Sequence, residues 1–418
     1  MKDLLIFVPL DTFAKAQYEF IPIGPLTISS FVSDAGFEVD VVHGLTKDIK
    51  EGYKYYGISS TTAQYTMAKD ALLHIRRLDP TAKVIIGGPH FNAKACLDEA
   101  VNDGWDYIVV GDGEIATRDI LAGKETAKVV YGTVIDDIDS ISLPDYGKLD
   151  LSKYNYPLRE GMRCINIMTS RGCPFKCVFC STSGSKLRQR SSDKVMEEVE
   201  ILTKKYGFDS LLFVDDTMSI NNRRYYSILS ELESFNIKWR AYGRTTTINK
   251  EGLERMARSG CIECCPGIES GSQEILDLIG KGTNAEKNIE WCKTCEDVGI
   301  VCSPFIIIGL PNESMETVKA TERFVREAKP SAFAYNILMP FPDSPLVVKR
   351  EKFSKYLTIY PYTWDDCITK SKKITDCFVS TPYLSREDIL KEYYRNYDLF
   401  ANITGFDPRK RGTRANSE

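Results

Sequence analysis

The sequence predicts an α/β protein with two parallel β-sheets in succession and a smaller helical region after them. Residues 1–145 alternate short apolar runs with helical patterns, and the same alternation starts again near residue 163. Such alternation is typical of strands joined by crossover helices, which form parallel sheets. We therefore expect a doubly wound, Rossmann-like domain over 1–145, a (βα)6 partial TIM barrel over 146–345, and a small C-terminal helical and aromatic extension over 346–418.

The first region contains six apolar runs that we assign as strands, over residues 4–9, 38–42, 55–59, 83–87, 107–110 and 128–131. The opening run is apolar enough to suggest a signal peptide, but it lacks a small-residue cleavage site and runs directly into Asp11, so a strand is favoured. Ligands bind beyond the carboxyl ends of the strands in such sheets, and small residues there allow close approach to the backbone. The candidate residues at these ends are Ser59, Thr61, Thr62, Gly87, Gly88, His90, Gly111, Gly113 and Glu114. Each of these segments taken alone could equally be an ordinary strand-to-helix turn.

The second region contains six further strand candidates, over residues 164–168, 210–215, 238–242, 263–268, 304–308 and 333–338. Helical patterns separate them, as in 193–206, where Val195, Val199 and Leu202 share one face. Six such units form a parallel sheet curved into a partial barrel, with the active site at the carboxyl ends of the strands.

Three cysteines follow the first strand of this second sheet. Cys173, Cys177 and Cys180 have C-x3-C-x2-C spacing, and no fourth cysteine follows at close range. Thiolates at this spacing can bind three irons of a 4Fe-4S cluster and leave the fourth iron open to a substrate or cofactor. Zinc and buried thiols are the alternatives, but zinc prefers four closed ligands and no histidine follows His90. The spacing therefore favours a catalytic cluster.

The ends of the other strands carry polar residues that could bind the same ligand. Asp215, Asp216 and Thr217 follow the second strand, where adjacent carboxylates could hold an ammonium group or one residue could cap a helix. Arg244 follows the third strand and has the planar fork suited to a carboxylate, unless it forms a surface ion pair.

Composition limits the partners and the compartment. A net charge of −4 does not favour nucleic acid as a partner. Thirteen cysteines, scattered and odd in number, without a secretory signal, favour reduced thiols in the cytoplasm. No apolar stretch approaches the length of a membrane span, so we expect no membrane association.

The run GCPFKCVFC, with the strand ends that follow it, resembles the radical S-adenosylmethionine (SAM) superfamily. The resemblance implies that SAM binds the open iron and is cleaved to a 5′-deoxyadenosyl radical, with an external one-electron reductant of flavodoxin or ferredoxin type. It places the aromatic ring of Phe179 near the adenine. GIESG, G-x-P and P-x-P-G-T-P segments of the family are matched at 267–271, 309–311 and, with Asp343 and Ser344 as replacements, within MPFPDSPL. The SAM-binding residues so implied are Phe179, Asp215, Asp216, Thr217, Arg244, Glu269, Ser270, Gly309 and Pro311.

Residues 1–145 resemble the cobalamin-binding domain of cobalamin-dependent members of that superfamily, through IPIGPLTISSFVSDAGFEVDVV, YYGISSTTAQYT, KVIIGGPHF and YIVVGDGE. Two features depart from the family pattern. Asp40 and His43 are one residue too far apart for the D-x-H-x-x-G signature, so no histidine is expected under the cobalt. The segment 44–54 is too short and too polar for the full crossover helix between the second and third strands.

Other residues leave alternatives open. Cys261, Cys264, Cys265, Cys292 and Cys295 could form a second metal site, but buried thiols are favoured. His43, His74 and His90 are favoured as packed residues, although His90 could touch a ligand. The aromatic residues after Pro345 could line a substrate pocket or pack in a core, and a helix over 386–400 could close the open side of the barrel.

The leading hypothesis is a radical SAM enzyme that uses 4Fe-4S, SAM and cobalamin to methylate an unactivated carbon of a small molecule. Without cobalamin, the first domain would be a scaffold and the reaction a radical dehydration, epimerisation, cyclisation or rearrangement. A non-catalytic iron–sulfur or zinc protein is the third hypothesis, and it leaves the polar strand ends unexplained. The sequence does not identify the substrate.

Overall fold

The structure is a computed structural model that describes residues 1–10, 18–367 and 376–408. The described residues form two compact units. The first unit consists of Met1–Asn155 with the described part of Tyr362–Lys373, and the second of Tyr156–Pro361 with the described part of Ile374–Glu418. Residues 368–375 and 409–418 of the predicted C-terminal extension lie outside the described residues.

The first unit is built on a six-stranded parallel sheet with the order β2-β1-β3-β4-β5-β6. Leu4 pairs with Val39 of β2 on one side and with Tyr55 of β3 on the other. The strands are β1 (Lys2–Pro9), β2 (Val39–Gly44), β3 (Tyr53–Ser59), β4 (Lys83–Gly87), β5 (Tyr107–Val110) and β6 (Val129–Tyr131), and the helices are α1 (Ile23–Asp34), α2 (Tyr65–Leu78), α3 (Lys94–Ala100) and α4 (Gly113–Leu121). All six predicted strands are confirmed, including the opening run, whose residues from Leu4 to Val8 are buried because a central parallel strand is covered on both faces.

The connection between β2 and β3 contains a single 3₁₀ turn, Thr46–Asp48, in place of a crossover helix. The Asp48 carboxylate closes this turn by accepting a 2.8 Å hydrogen bond from the Leu45 amide. The prediction that 44–54 is too short for a full helix is therefore confirmed.

The second unit is built on a seven-stranded parallel sheet with the order β15-β14-β12-β11-β10-β7, in which β13 also pairs with β12. Its strands are β7 (Cys164–Ile167), β10 (Ser210–Phe213), β11 (Lys238–Gly243), β12 (Cys261–Glu269), β13 (Val301–Cys302), β14 (Phe305–Ile308) and β15 (Ala334–Ile337). The six predicted strands are confirmed, and β13 is an additional short strand. The sheet is the partial TIM barrel that the sequence predicts.

Short antiparallel pairs and helices complete this unit. The described residues of the unit contain two such pairs, β8 (Ser170–Arg171) with β9 (Arg188–Gln189) and β16 (Thr358–Ile359) with β17 (Val379–Ser380). The helices are α5 (Ser192–Glu200), α6 (Asn222–Phe235), α7 (Lys250–Arg258), α8 (Gln273–Leu278), α9 (Ala285–Asp297), α10 (Met315–Ala328), α11 (Pro345–Val348), α12 (Arg350–Phe353) and α13 (Arg386–Thr404). None of the helices in the described parts of the chain combines the length and the apolar content required to cross a membrane.

The last helix of the unit packs on the last strand of the sheet. Ser385 caps α13 by accepting a hydrogen bond from the Asp388 amide, and the ring of Tyr393 stacks on that of Tyr335 in β15, with their centroids 5.3 Å apart. The predicted helix over 386–400 is confirmed and continues to Thr404. Burial of Tyr393 and Tyr397 shows that these two aromatic residues pack in the core.

Candidate active site

The cysteine loop lies between β8 and β9 and is closed by close backbone contact. At Gly172, φ is +84°, and a Cβ atom there would lie 2.4 Å from the carbonyl oxygen of Lys186. The Cys173 amide donates a 2.9 Å hydrogen bond to Ser185 Oγ, which in turn donates to the carbonyl oxygen of Thr182 at 2.7 Å. Glycine is therefore required where the two ends of the loop meet.

Two further backbone hydrogen bonds attach the middle of the cysteine loop to other elements of the second unit. The Val178 amide donates to the carbonyl oxygen of Ile279, after α8, at 2.9 Å. The Val178 carbonyl oxygen accepts a 2.8 Å hydrogen bond from the Leu346 amide in α11. The segment between Cys177 and Cys180 is thus fixed from two sides.

Each cysteine sulfur of the loop has one polar neighbour. Cys177 is buried, and the other two cysteines are half-buried. Burial raises the pKa of the Cys180 thiol. Hydrogen bonds to sulfur stabilise thiolates and adjust the reduction potential of iron–sulfur clusters. The three pairs are Cys173 Sγ with Thr217 Oγ1 at 3.6 Å, Cys177 Sγ with Arg244 Nη1 at 3.8 Å, and Cys180 Sγ with Thr182 Oγ1 at 3.3 Å.

The donor set fits an iron–sulfur cluster. Within residues 1–10, 18–367 and 376–408, no three His, Cys, Asp or Glu side chains converge on the position of a single metal ion. A 4Fe-4S cluster does not require such convergence, because each thiolate binds a different iron. Three thiols on one fixed loop, each beside a side chain that can hydrogen-bond to sulfur, suit that ligand.

Asp215 anchors the start of the cysteine loop. Its carboxylate accepts hydrogen bonds from the Thr169 amide at 3.0 Å, from Thr169 Oγ1 at 2.8 Å and from Ser170 Oγ at 2.5 Å. Burial raises the pKa of Asp215, and the nearby Arg224 guanidinium opposes that shift. Arg224 Nη2 also donates to Thr169 Oγ1 at 2.8 Å. Asp215 therefore anchors the loop, and its binding of SAM stays a prediction.

The two residues after Asp215 differ in exposure. Asp216 is exposed to solvent, whereas Thr217 is buried beside Cys173. The expectation that one of these three residues caps the following helix is wrong, because Asn221 caps α6 by accepting from the Arg224 amide. Residues 218–220 form a loop between these residues and α6, so the carboxylates of Asp215 and Asp216 lie too far from the start of the helix to cap it.

Arg244 is buried and most of its donors are used within the unit. Nε donates to Thr246 Oγ1 at 2.9 Å, and Nη2 donates to the carbonyl oxygen of Lys281. The guanidinium also lies 3.7 Å above the centre of the Phe175 ring, in the cysteine loop. Arg244 therefore ties that loop to the turn containing Lys281, and its binding of a ligand carboxylate stays a prediction.

Glu269, at the end of β12, forms a buried ion pair that sequence reasoning missed. Its Oε1 accepts a 2.7 Å hydrogen bond from Lys281 Nζ, and both side chains are less than 10% exposed, at 7% and 8%. The backbone of Glu269 has φ +67°, which is uncommon for a residue with a side chain. Gly267 leaves room for the pair, since a Cβ there would lie 2.5 Å from Glu269 Oε1. Lys281 stands between two glycines in the sequence, which was the available signal.

The turn after β14 depends on a buried carboxyl group. Gly309 has φ +88°, and its amide donates a 2.5 Å hydrogen bond to Glu313 Oε2. Burial raises the pKa of Glu313 to about 8, against the opposing effect of hydrogen bonds from the Gly309 and Leu310 amides. Pro311 is buried in the same turn. Sequence reasoning identified Gly309 and Pro311 but missed Glu313.

The remaining predicted residues take separate positions. Ser270 Oγ accepts from the Ser272 amide at 3.1 Å and lies 3.4 Å from Thr321 Oγ1 of α10. Phe179 is half-buried in the cysteine loop. Ser344 Oγ donates to the Phe341 carbonyl oxygen at 2.7 Å and so shapes the turn that precedes α11.

The other cysteines of the second unit are buried thiols, as predicted. The largest group comprises Cys261, Cys264, Cys265, Cys292, Cys295 and Cys302, each less than 5% exposed. Arg240 donates to Cys265 Sγ through Nε at 3.1 Å and Nη2 at 3.0 Å. Burial raises the pKa of Cys265 to about 11 although the Arg240 charge opposes the shift, so this thiol is protonated at neutral pH.

The carboxyl edge of the sheet in the first unit is formed by small residues in close backbone contact. Gly88 has φ +114°, and a Cβ there would lie 2.4 Å from the carbonyl oxygen of Ser60. Gly111, after β5, has φ +86° with nothing within 4 Å of its ideal Cβ position. Thr61 donates from its amide and hydroxyl to Gln64 Oε1, at 3.1 and 3.0 Å. The predicted residues Ser59, Thr62, Gly87 and Gly113 are half-buried, and Glu114 is buried.

His90 lies in an aromatic cluster of the first unit. Its ring centroid is 4.4 Å from that of Tyr65, 5.0 Å from that of Phe91 and 5.3 Å from that of Trp364. Nδ1 is 3.3 Å from Thr62 Oγ1, and Nε2 has no hydrogen-bond partner among the described residues. Burial lowers the pKa of His90 to about 4, so the ring is neutral at pH 7. His90 is therefore placed as a packed residue.

Comparison with protein families identifies both units. The model of the radical SAM superfamily matches residues 167–325, and that of the B12 binding domain matches residues 9–121. An uncharacterized methyltransferase of Pyrococcus horikoshii is 30% identical over 444 residues, covering 96% of this chain and 95% of the relative. The chain belongs to the radical SAM superfamily. The B12 binding domain precedes the radical SAM domain, as the sequence predicts.

Two further proteins are similar to this radical SAM protein over most of its length. The anaerobic magnesium-protoporphyrin IX monomethyl ester cyclase of Rubrivivax gelatinosus is 27% identical, covering 82% of this chain and 70% of the cyclase. The radical SAM methyltransferase TsrM from Kitasatospora setae, solved with cobalamin and a 4Fe-4S cluster, has a TM-score of 0.69 at 18% identity, covering 87% of this chain and 81% of TsrM. The similarity to the cyclase extends across both the B12 binding and the radical SAM regions. The similarity to TsrM is one of fold.

Proposed function

We propose that this radical SAM protein is a cobalamin-dependent methyltransferase that acts on a small molecule. The observation that carries the proposal is the cysteine loop, fixed at the carboxyl edge of a partial barrel within a chain that also has a B12 binding domain. When bound, the cluster and SAM supply a 5′-deoxyadenosyl radical, and cobalamin supplies a transferable methyl group. The relative from Pyrococcus horikoshii, which is similar along nearly its full length, is named a methyltransferase.

Cys173, Cys177 and Cys180 would hold the cluster, and three neighbouring side chains would support their sulfurs. Arg244 directs an N–H donor toward Cys177 Sγ, and the hydroxyl groups of Thr217 and Thr182 each lie within hydrogen-bond distance of one of the other two sulfurs. The Arg244 donor is held before any ligand binds, since other nitrogens of its guanidinium donate to Thr246 Oγ1 and to the Lys281 carbonyl oxygen. Preorganised donors stabilise developing negative charge on sulfur without moving.

SAM would bind along the ends of the neighbouring strands. Asp216 is exposed and can accept a hydrogen bond from an amino group, while Phe179 offers an aromatic face to the adenine. The turn from Gly309 to Pro311 is held by Glu313 and has no bulky side chain at its first position. Glu269 would reach the ligand from within its ion pair with Lys281.

Cobalamin would be held in the first unit by shape. The ends of β3, β4 and β5 carry serine, threonine and glycine, and the backbone at Gly111 has open space around it. His90 is packed between aromatic rings and would not serve as an axial ligand. The residues present therefore fit a corrin that contacts the backbone without an imidazole–cobalt bond.

A flavodoxin or ferredoxin in the cytoplasm would supply electrons. The twelve cysteines whose side chains the structure describes are all free thiols, which supports a reducing compartment. The solved TsrM complex with its tryptophan substrate supports a small molecule as the kind of substrate.

Anaerobic reconstitution tests the proposal. The protein is loaded with iron and sulfide, incubated with SAM and a chemical reductant, and assayed for 5′-deoxyadenosine, with and without hydroxocobalamin. We expect a corrin spectrum that stays with the protein on gel filtration, 5′-deoxyadenosine in both samples, and S-adenosylhomocysteine only with cobalamin. Absence of 5′-deoxyadenosine with a fully loaded cluster would refute the proposal.

Cobalamin-free radical chemistry, such as cyclisation, is the second candidate. The similarity to the cyclase of Rubrivivax gelatinosus supports cyclisation as the reaction. The short 3₁₀ connection between β2 and β3, which removes a helix from one face of the first unit, supports a first unit without cobalamin. Formation of 5′-deoxyadenosine by protein that does not retain a corrin after incubation would select this reading.

A further inference from the structure

An exposed basic surface lies directly after the contact between α11 and the cysteine loop. It contains Lys349, Arg350, Lys352 and Lys355, four cations within seven residues, interrupted only by Glu351 among charged residues. All four are exposed, in a chain whose net charge is −4. Two exposed apolar side chains precede them, Phe341 at 40% and Val348 at 65% exposure. We call these six residues the α12 surface.

The cations of the α12 surface are not neutralised by the protein. Within the described parts of the chain, no ion pair joins any of the four to a carboxylate, and Lys355 instead lies 4.6 Å above the Tyr356 ring. Elsewhere in the unit, some helix-surface cations are paired within one turn, as Lys204 is with Glu200, and the unpaired exposed lysines Lys287, Lys293 and Lys319 are spread over α9 and α10. The α12 surface differs because its four unpaired cations lie within seven residues. Unpaired charges of one sign produce a local positive potential that extends about 8–10 Å into solution at physiological salt.

This surface is physically connected to the cysteine loop. The Leu346 amide donates to the carbonyl oxygen of Val178, between Cys177 and Cys180. The Val348 amide donates to the Ser344 carbonyl oxygen, and the Phe341 carbonyl oxygen accepts from the Ser344 amide, so both apolar residues belong to the same turn. Lys349 follows Leu346 by three residues, a span of at most roughly 11 Å. Lys176, in the cysteine loop itself, is a further exposed cation.

We propose that the α12 surface, together with Lys176, docks an acidic one-electron-transfer protein that reduces the cluster. The inference rests on the proposed function, because it requires a cluster on Cys173, Cys177 and Cys180. One electron leaves the reduced donor, which is oxidised by one electron, and the cluster gains that electron. Charge complementarity accelerates the encounter, and two exposed apolar groups within a charged rim suit a small, transient interface of less than about 1,200 Å².

Charge reversal tests the docking surface. The variant K349E/R350E/K352E removes three of its cations, and K287E/K293E/K319E makes the same charge change at exposed, unpaired lysines on α9 and α10. Titration calorimetry with an oxidised flavodoxin of net negative charge measures binding to the reconstituted protein. We expect at least a tenfold weaker Kd for the α12 variant, a reduced dependence of Kd on salt, and less than a twofold change for the control.

Reduction kinetics separate this inference from the proposed function. Cluster reduction by flavodoxin hydroquinone, followed by absorbance, should slow at least tenfold in the α12 variant, while reduction by methyl viologen radical should be unchanged. Equal flavodoxin binding and rates in the wild type and the α12 variant, or equal losses in both variants, would overturn the docking surface. Binding of a single-stranded RNA is measured in parallel, because RNA is also negatively charged. If the α12 variant bound the RNA more weakly than the wild type does but bound flavodoxin equally well, the docking surface would also be overturned. Failure of methyl viologen and SAM to yield 5′-deoxyadenosine would refute the proposed function instead.

Discussion

The cysteine loop of the second unit and the carboxyl edge of the first unit are stabilised in different ways. Around the cysteines, directional contacts of polar side chains fix the backbone, through Asp215 with Thr169 and Ser170 and through Arg244 with Lys281. At the edge of the first sheet, close backbone approach does most of this work, as where Gly88 meets Ser60.

This difference has a functional meaning. A cluster loop must place three sulfurs against charged ligands, and hydrogen bonds with defined geometry supply that accuracy. A surface that receives a large, flat cofactor needs space and accessible backbone, which glycine and serine provide. Removing a polar side chain should therefore destabilise the second unit most. Adding a Cβ atom at a glycine should destabilise the first unit most.

The largest effect is expected for Cys177→Ala. Cys177 is buried and bonded only weakly to Arg244 through sulfur, so the alanine variant should fold and keep its thermal transition within a few degrees. The cluster would lose one of three ligands, and 5′-deoxyadenosine formation should fall by at least about a thousandfold. Liquid chromatography of the reaction with SAM and dithionite measures this loss.

Cys295→Ala is the matched control, because Cys295 is also a buried cysteine and lies on α9, outside the loop. It should retain both iron content and cleavage. Wild-type cleavage by the Cys177→Ala variant would contradict the assignment of the loop.

The next largest effect is expected for Lys281→Met. Removing the ammonium leaves the Glu269 carboxylate buried without its partner, which costs about 3–5 kcal/mol of unfolding free energy. Urea unfolding with circular dichroism detection measures the loss. The double variant with Glu269→Gln should recover part of it, because no unpaired buried charge remains.

The exposed pair Lys204 and Glu200 provides the control for that prediction. Its atoms are 2.6 Å apart, but both side chains are more than half exposed, at 68% and 54%. Lys204→Met should cost less than about 0.5 kcal/mol. Equal losses of unfolding free energy for Lys204→Met and Lys281→Met would mean that burial does not make the Glu269–Lys281 pair more important for stability than the exposed pair.

Glu313→Gln should change the pH dependence of stability. The pKa of Glu313 is about 8 in the folded protein and 4.5 in its ordinary state, so the folded protein holds this proton more tightly. The stabilisation is complete below pH 4.5 and is lost as pH rises toward 8. The glutamine variant has no such proton and should gain stability relative to the wild type between pH 5 and 8, by a few kcal/mol at most. Urea titrations at several pH values measure this difference, and a constant difference would refute it.

Local sequence signals predicted the strands and the cysteine loop, because both depend on residues close together in the chain. The short connection after β2 was also predictable, since the eleven residues over 44–54 are too few and too polar to form a full crossover helix. The Glu269–Lys281 pair was not, because its members are 12 residues apart and meet only after α8 forms. The stacking of Arg244 on Phe175 joins residues from different strand ends, and no sequence pattern records that contact.

The smallest predicted effect tests the first unit by comparing Gly88→Ala with Gly111→Ala. Both glycines have positive φ, so both alanine variants carry backbone strain of about 1 kcal/mol or more. Only Gly88 adds a steric conflict, because its new Cβ would meet the Ser60 carbonyl oxygen, and its φ of 114° with ψ of 174° lies where glycine alone is comfortable. Gly88→Ala should therefore cost about 2 kcal/mol more than Gly111→Ala.

Hydrogen exchange of the Ser60 amide, which donates to the Gly87 carbonyl oxygen at 2.9 Å, reports this difference at the site itself. Retention of hydroxocobalamin provides a second measurement. If cobalamin contacts the open backbone beyond β5, Gly111→Ala should impair this retention more than Gly88→Ala does. Gly111→Ala would then weaken retention of hydroxocobalamin on gel filtration even though it unfolds less. Normal corrin retention by Gly111→Ala would place the cofactor away from β5 and would weaken the view that this edge is open in order to receive it.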